Sequence, residues 1–234
     1  AKFSFISVRE DRDEFNFDTE DMILKIKRLK PKLILLASPN NPTGNSIDVK
    51  ELAKVLRACP RHTLVFLDQE YLGFEPGYKD SEFLKLLNQY PNLALLRSFS
   101  KLYSLAGLRI GFALCGGKVK DLLHYQDYYL GFSRILEEVA ISALGAGRYY
   151  ARIARKIIRD REWLGKKINK LKHFHSYRSH ANFLFFKANG RAGALLRAQL
   201  VKENIITVKH IGGSFFRVSI GLTPHARRFA SLLE

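Results

Sequence analysis

Leu95-Leu96-Arg97-Ser98-Phe99-Ser100-Lys101-Leu102-Tyr103-Ser104-Leu105-Ala106-Gly107-Leu108-Arg109-Ile110-Gly111 is the stretch whose reading decides the fold. Leu93 to Leu96 is an apolar run of strand length that stops at small hydroxyl residues. A lone Lys101 follows the hydroxyls, and Arg109 stands eight residues further on, just before a second apolar run from Ile110 to Leu114. Two serines and a guanidinium converging at the mouth of a sheet form a phosphate cup, since all three donate hydrogen bonds to anionic oxygen. A lysine kept from solvent there has its pKa lowered toward the range in which it attacks an aldehyde. Taken alone, the segment reads equally as a strand end with ordinary surface charges.

Working outward, Lys32 to Ala37 is another apolar run. It leads into Ser38-Pro39-Asn40-Asn41-Pro42-Thr43-Gly44, where two prolines and a glycine forbid helix and central strand alike. Asp48 heads an amphipathic helix carrying Leu52, Val55, Leu56 and Cys59 on one face. Thr63 to Leu67 is the next strand, with Asp68 at its end. Helices are predicted over Asp21 to Leu29, Ser81 to Gln89 and Val119 to Leu130, and a weak strand over Phe3 to Val8. Strands alternating with helices predict an α/β fold with a mostly parallel sheet, and polar groups in such sheets gather at the carboxyl ends of strands. Asn41, Asp68 and the run Ser98 to Lys101 follow three separate strands in that way.

After a helix from Ile135 to Leu144, Gly145-Ala146-Gly147 reads as a hinge, dividing the chain into 1–147 and 148–234. The second unit is predicted to be small and α+β. It has a long basic helix, a strand at Phe183 to Phe186, a helix at Ala192 to Glu203, strands at Ile205 to Val208 and Phe216 to Ile220, and a closing helix from Pro224.

Composition bounds what the chain does. Its 234 residues are 47% hydrophobic, enough for a substantial core. No apolar run reaches the roughly 18 residues a membrane span needs, and no signal-peptide core begins the chain, so a cytoplasmic protein without membrane contact is expected. Cys59 and Cys115 are solitary, which fits a reducing compartment. The 39 basic against 22 acidic residues give a formal charge of +17, which points to anionic substrates, a phosphorylated cofactor, nucleic acid or an acidic partner segment. Many bases (Arg152, Arg155, Lys156, Arg159, Lys166, Lys167, Lys170) alternate at helical spacing with Ile153, Ile157, Leu164, Ile168 and Leu171, and are read as a solvated face. They are not interleaved with stacking aromatics, so nucleic acid is not the expected partner. His173, His175 and His180 lack cysteines or carboxylates at ligand spacing, and no metal site is expected.

The segment around Lys101 resembles the lysine motif of fold-type-I pyridoxal-phosphate aminotransferases, S-x-S-K with an arginine eight residues later, and its wording is most similar to the histidinol-phosphate aminotransferase branch. N-N-P-T-G, D-x-x-Y, S-x-S-K and the arginine follow in that family's order. The resemblance implies a pyridoxal-phosphate large domain and a set of roles. Lys101, Asp68 and Tyr71 are the catalytic residues, with Lys101 the residue that joins the cofactor and Asp68 the partner of its ring nitrogen. Asn41 and Tyr71 serve its ring oxygen, and Ser98, Ser100 and Arg109 its phosphate. Arg217 takes the substrate carboxylate, and Asn182 and Lys209 stand on the substrate side. For Asp68 the residues alone leave a capping role open.

The same resemblance implies transfer of an amino group between an amino acid or amine phosphate and a 2-oxo acid, in amino-acid biosynthesis, by a homodimer when complete. Two alternatives are weighed: a phosphothreonine decarboxylase-like enzyme, and a basic binding protein that kept the fold and lost the chemistry. Lys209 stands where the branch has an arginine for the substrate phosphate, so the bidentate fork is lost there. The likeness covers the last two thirds of a complete family member. The chain is thus expected to be a fragment or a shortened relative, with open sheet edges beside Leu33 to Ala37 and Ile110 to Leu114, weak cofactor binding, and association in isolation.

Overall fold

The computed structural model describes residues 2–119, 133–203, 205 and 207–234. The chain begins with a hairpin, β1 (Val8–Asp11) and β2 (Glu14–Phe17), where the sequence predicted one strand ending at Val8. Phe3 and Phe5 do not take part and are 84% and 87% exposed. Helix α1 (Thr19–Leu29) follows. Asp18 caps it by accepting from the Asp21 amide, and Glu20 and Asp21 in its first turn and Lys27 and Arg28 in its last oppose the helix dipole.

Four strands then form one sheet in the order β3 (Leu33–Ala37), β4 (Leu64–Asp68), β5 (Leu93–Ser98), β6 (Gly111–Cys115). The first three are parallel and β6 returns antiparallel to β5. The crossovers are α2 (Val49–Ala58), capped by Asp48 on the Glu51 amide, and α3 (Asp80–Gln89). Met22 and Ile26 of α1, Leu52, Val55 and Leu56 of α2, and Phe83 and Leu86 of α3 close over Ile34, Leu36, Val65, Leu67, Leu93 and Leu95. Val65, Leu67, Leu93 and Leu95 are fully covered, and each contributes about 1.5–3 kcal/mol by leaving water. On the other side of edge strand β3, Leu33 and Leu35 are 46% and 65% exposed. Cys59 lies against α2 with its thiol on the Val55 carbonyl, and burial pushes its pKa up to about 11.

Helix α4 (Arg134–Gly145) packs Ala140 and Ala143 against Phe99 and Ile110 of the first half, and the second half starts with α5 (Gly147–Ile168), the break at Ala146 falling inside the predicted Gly-Ala-Gly hinge. Its sheet is antiparallel, ordered β7 (Phe174–Ser176), β8 (Phe183–Ala188), β10 (Phe215–Ser219), β9 (Val208–Gly212). Helices α6 (Gly190–Lys202) and α7 (Thr223–Leu233) complete it. The bases named on α5 face solvent as the spacing predicts, while Leu164 and Ile168 join Leu184, Phe186, Phe216 and Phe229 in a second core.

The strand expected at Ile205 to Val208 is displaced. The Ile205 amide bonds the Leu200 carbonyl near the end of α6, and the described strand is β9, Val208–Gly212, with the Ser219 amide also donating to the Thr207 carbonyl. Three-residue β7 carries too little alternation to be read from sequence. The helix predicted from Val119 lies, beyond Val119 itself, outside the described residues, as does the loop 130–132.

Several contacts tie the N-terminal elements to the second sheet. Phe15 meets Tyr177 and Phe185 edge-on at 4.7 and 5.6 Å, and Glu10 accepts hydrogen bonds from Lys187 and the Tyr177 hydroxyl. The turn Asn40 to Asn45 abuts Ser179, and the His180 amide donates to the Gly44 carbonyl at 2.7 Å. Gly44 has φ +80°, and a Cβ there would lie 2.4 Å from Ser179 Oγ.

Gly44→Ala is therefore expected to cost about 1–3 kcal/mol in backbone strain, plus the cost of moving Ser179. Gly77, with φ +75° and open space around it, should show the strain alone. Urea titration of Gly44→Ala and Gly77→Ala checks this, and equal losses would refute the close-approach argument. Glu10 is held below its ordinary value of 4.5, first by the hydrogen bond from Lys187 and then by that from Tyr177. Its tie is complete above that ordinary value and fades as pH falls through the lowered one. Melting curves between about pH 3 and 6 should show Glu10→Gln losing part of the wild-type acid sensitivity.

Candidate active site

Parallel pairing sets Ala37, Asp68 and Leu96 in one row, so the segments leaving β3, β4 and β5 emerge at the same level. Asp68, the last residue of β4, is exposed, and its Oδ1 accepts from the Glu70 amide at 2.8 Å, which starts the turn that follows. Tyr71 on that turn is buried, its ring edge-on to Phe183 at 5.1 Å and 87°. Lys101 Nζ lies 5.5 Å from the Tyr71 ring centre and 3.6 Å from Glu70 Oε1, with its side chain 31% exposed rather than sealed from solvent.

A cleft of about 310 Å³ opens at this level, lined by Asp68, Glu70, Arg97, Ser98, Ser100 and Arg109 among others. Ser98 Oγ accepts from the Ser100 amide at 2.9 Å, folding the two serines together. Arg109 is left-handed at φ +54° and its Nη1 donates to the Ala106 carbonyl at 3.1 Å, which leaves most of its exposed fork unused. Arg97, by contrast, is engaged: Nε donates to Gln69 Oε1 at 3.1 Å and its guanidinium pairs with Asp80. The neighbouring Tyr78 hydroxyl donates to Asp80 at 3.2 Å, and burial raises its pKa. Among these cations Arg109 is the one available to an anion in the cleft.

The second sheet brings a different group to the same place. Arg217 on β10 lies over the Phe183 ring at 4.8 Å and donates from Nη1 to Asn41 Oδ1 at 3.0 Å. Its Nη2 is 3.5 Å from Ser219 Oγ, and its Nε is buried with no partner among the described residues. On this edge of the fork Nε is unpartnered and Nη2 makes only the long contact to Ser219, so the edge could take a two-pronged acceptor such as a carboxylate in exchange for that contact. Lys209 on β9 is directly opposite Arg217 in the pairing register and exposed. Two cations facing each other across strands repel, and an anion between them removes the penalty. Asn182 precedes Phe183, and its backbone carbonyl accepts from the Ile220 amide at 2.8 Å.

The residues named from the sequence therefore fall into two linked sets. Asp68, Ser98, Ser100 and Arg109 line the cleft, while Lys101, Tyr71, Asn41 and Arg217 are joined through Phe183, with Asn182 and Lys209 at the margin. Glu70 belongs to both sets and was missed, as were Phe183 and Arg97. Glu70 sits inside the D-x-x-Y run, so its position beside Asp68 was the signal available. Among the described residues no three histidine, cysteine or carboxylate groups are placed to share a metal ion. His175 instead contacts the Arg12 carbonyl at 2.7 Å, and His180 Nδ1 lies 3.1 Å from Glu75.

The chain is similar to known proteins along most of its length. Residues 1–230 match the family described as aminotransferase class I and II. Histidinol-phosphate aminotransferase 2 of Archaeoglobus fulgidus is 34% identical over 196 residues, covering 82% of this chain and 54% of that protein. The histidinol-phosphate aminotransferase of Methanocaldococcus jannaschii is 30% identical over 239 residues, covering 100% of this chain and 62% of that one. Among solved structures, histidinol-phosphate aminotransferase from Sinorhizobium meliloti in complex with pyridoxal-5'-phosphate superposes with a TM-score of 0.77 at 25% identity, over 93% of this chain and 60% of that one. The chain thus spans somewhat over half the length of the relatives it matches. With its α/β sheet, its order of motifs and this match along nearly its whole length, the chain belongs to the aminotransferase class I and II family.

Proposed function

We propose that this chain carries the cofactor and substrate groups of a pyridoxal-phosphate aminotransferase. It moves an amino group between an amino acid or amine phosphate and a 2-oxo acid, as in the histidinol-phosphate branch. The observation that carries this reading is the Lys101–Tyr71–Phe183–Arg217 contact chain. It sets an amine and a half-unused guanidinium fork on two sides of one aromatic pair.

The donor set fits the cofactor. Ser98, Ser100 and Arg109 would hold its phosphate, Asn41 and Tyr71 would reach its ring oxygen, and Asp68 its ring nitrogen. Pyridoxal phosphate, when bound, supplies an aldehyde and an electron sink. Lys101 provides the amine, and Glu70 Oε1, 3.6 Å from Nζ, orients it by an ion pair. The Lys101 amine would also serve as the base that moves protons at the substrate carbon. Arg217 orients the substrate by its carboxylate through Nε and Nη2, and Lys209 attracts a second anionic group such as a phosphate without the specificity of a fork. Asn182 stands beside that substrate side. The relatives named above carry the aminotransferase name, which supports transfer rather than decarboxylation.

We further propose a division at 147/148 into a cofactor-binding and a smaller C-terminal domain, a homodimeric assembly of the complete protein, and a cytoplasmic location. Among the described residues no helix is long and apolar enough to cross a membrane.

With pyridoxal phosphate present, borohydride reduction followed by peptide mapping should place the label on Lys101, and a label on any other lysine would sink the assignment. Arg217→Lys should weaken 2-oxoglutarate binding about tenfold while cofactor affinity stays within about twofold, because only the two-pronged contact is lost. Paired titrations of 2-oxoglutarate and pyridoxal phosphate read this directly, and unchanged 2-oxoglutarate affinity would remove Arg217 from the substrate site.

A further inference from the structure

Arg161 is the exception on α5. Its bases otherwise face solvent, yet this side chain is 1% exposed and is the largest fully buried one among the described residues. Its Nη1 donates to two backbone carbonyls from opposite halves of the chain, Phe74 at 2.9 Å and Ala181 at 2.6 Å. Its Nε and Nη2 are held by Glu162 Oε1 at 3.1 and 2.9 Å, so the fork is oriented from behind. Burial pulls its pKa down from the ordinary arginine value, with Glu162 acting in the other direction. A guanidinium removed from water stays in place only while its acceptors stay in place.

Those acceptors bracket the aromatic pair at the centre of the site. Phe74 closes the turn that carries Tyr71, and Ala181 begins the segment that carries Phe183. Tyr71, Ala181 and Phe183 form one small buried cluster. On one side of it stands Lys101, 5.5 Å from the Tyr71 ring, and on the other Arg217, 4.8 Å from the Phe183 ring. Near the same two segments, His180 Nδ1 lies 3.1 Å from Glu75 at the half-exposed rim, and the His180 amide donates to the Gly44 carbonyl of the loop after β3.

We infer that Arg161 is a positioning residue for this site. By binding both carbonyls with one nitrogen it fixes the Tyr71–Phe183 contact, and through it the distance between the amine of Lys101 and the carboxylate-binding edge of Arg217. The inference rests on the functional reading above for what is being spaced, but not for the tie itself. Among the described residues the polar partners of Arg161 are Glu162 and the Phe74 and Ala181 carbonyls, not Lys101 or Arg217, so its effect runs through the two backbone segments.

The neighbouring Asp160 supplies the control. It is equally buried on the same helix at 4% exposure, but it faces α7, accepting from Thr223 Oγ1 at 2.5 Å. Asp160→Asn should therefore loosen α5 without touching the Tyr71 or Phe183 segments. The experiment compares Arg161→Met, Arg161→Lys and Asp160→Asn by amide hydrogen exchange without cofactor, at temperatures giving each the same distance below its melting point. Exchange at Leu72, whose amide bonds the Gln69 carbonyl, and at His180 should rise about tenfold or more in Arg161→Met, less in Arg161→Lys, and stay near wild type in Asp160→Asn. In the loaded protein, 2-oxoglutarate affinity should fall about tenfold in Arg161→Met while pyridoxal phosphate affinity changes less than about twofold.

Equal exchange and equal 2-oxoglutarate loss in Asp160→Asn, or wild-type values of both in Arg161→Met, would overturn the inference. If Arg161→Met does not fold, the same comparison is made with Arg161→Lys, where wild-type behaviour in both readouts overturns it. A wild-type protein that binds neither pyridoxal phosphate nor 2-oxoglutarate would instead defeat the functional reading, and the exchange arm would still decide whether Arg161 ties the two segments.

Discussion

In-register parallel pairing of β3, β4 and β5 is the constraint on which the site depends. The row Ala37, Asp68, Leu96 is continued past the strand ends by two more ladder bonds, Ser38 amide to Asp68 carbonyl and Gln69 amide to Leu96 carbonyl, both 2.8 Å. A slip of one residue in β4 would turn Asp68 and the Val65–Leu67 pair to opposite faces, exchanging a core for a carboxylate. The cost of burying a carboxylate and exposing two fully covered side chains holds the register, and the register in turn holds the level from which all three functional loops depart.

The second half is attached to that level by weaker means. Each half has its own core, centred on Leu67 and Leu93 in one and on Phe186 and Phe216 in the other. Between them stand, among other contacts, an edge-on aromatic pair, worth about 0.5–1.5 kcal/mol, and the hydrogen bonds from Arg161 to the Phe74 carbonyl and from Arg217 to Asn41. Such contacts fix direction more than they add stability. The two cores would survive a small relative displacement that the site would not.

Much of this was legible in the sequence, for a physical reason. The residues at strand ends are set by the need to stop a ladder and turn the chain, which demands prolines, glycines and small hydroxyls at fixed places, and Asn41, Asp68 and Ser98 to Lys101 stand out against their apolar neighbours. The second sheet was read less well, because β9 is preceded by a turn that continues α6 and β7 is too short to alternate. Arg161 was illegible because its neighbours Arg155, Lys156 and Arg159 are also basic, and only the packing distinguishes the one that turns inward. Asp68 was read as a cofactor partner or a helix cap, and the structure shows a turn rather than a helix after it: one carboxylate oxygen holds the Glu70 amide and the side chain lines the cleft.

The bond from Arg217 to Asn41 also settles a matter of polarity. A primary amide has one accepting and one donating end, and turning it over exchanges them. Arg217 has only hydrogens to offer, so it draws the Asn41 oxygen toward itself and leaves the amide nitrogen turned away from β10. Asn41 therefore presents hydrogens to whatever lies beyond it, and a phenolate-like oxygen is favoured there over another donor. The sign of a partial charge on the loop after β3 is chosen by a residue 176 positions further along the chain, on the other sheet.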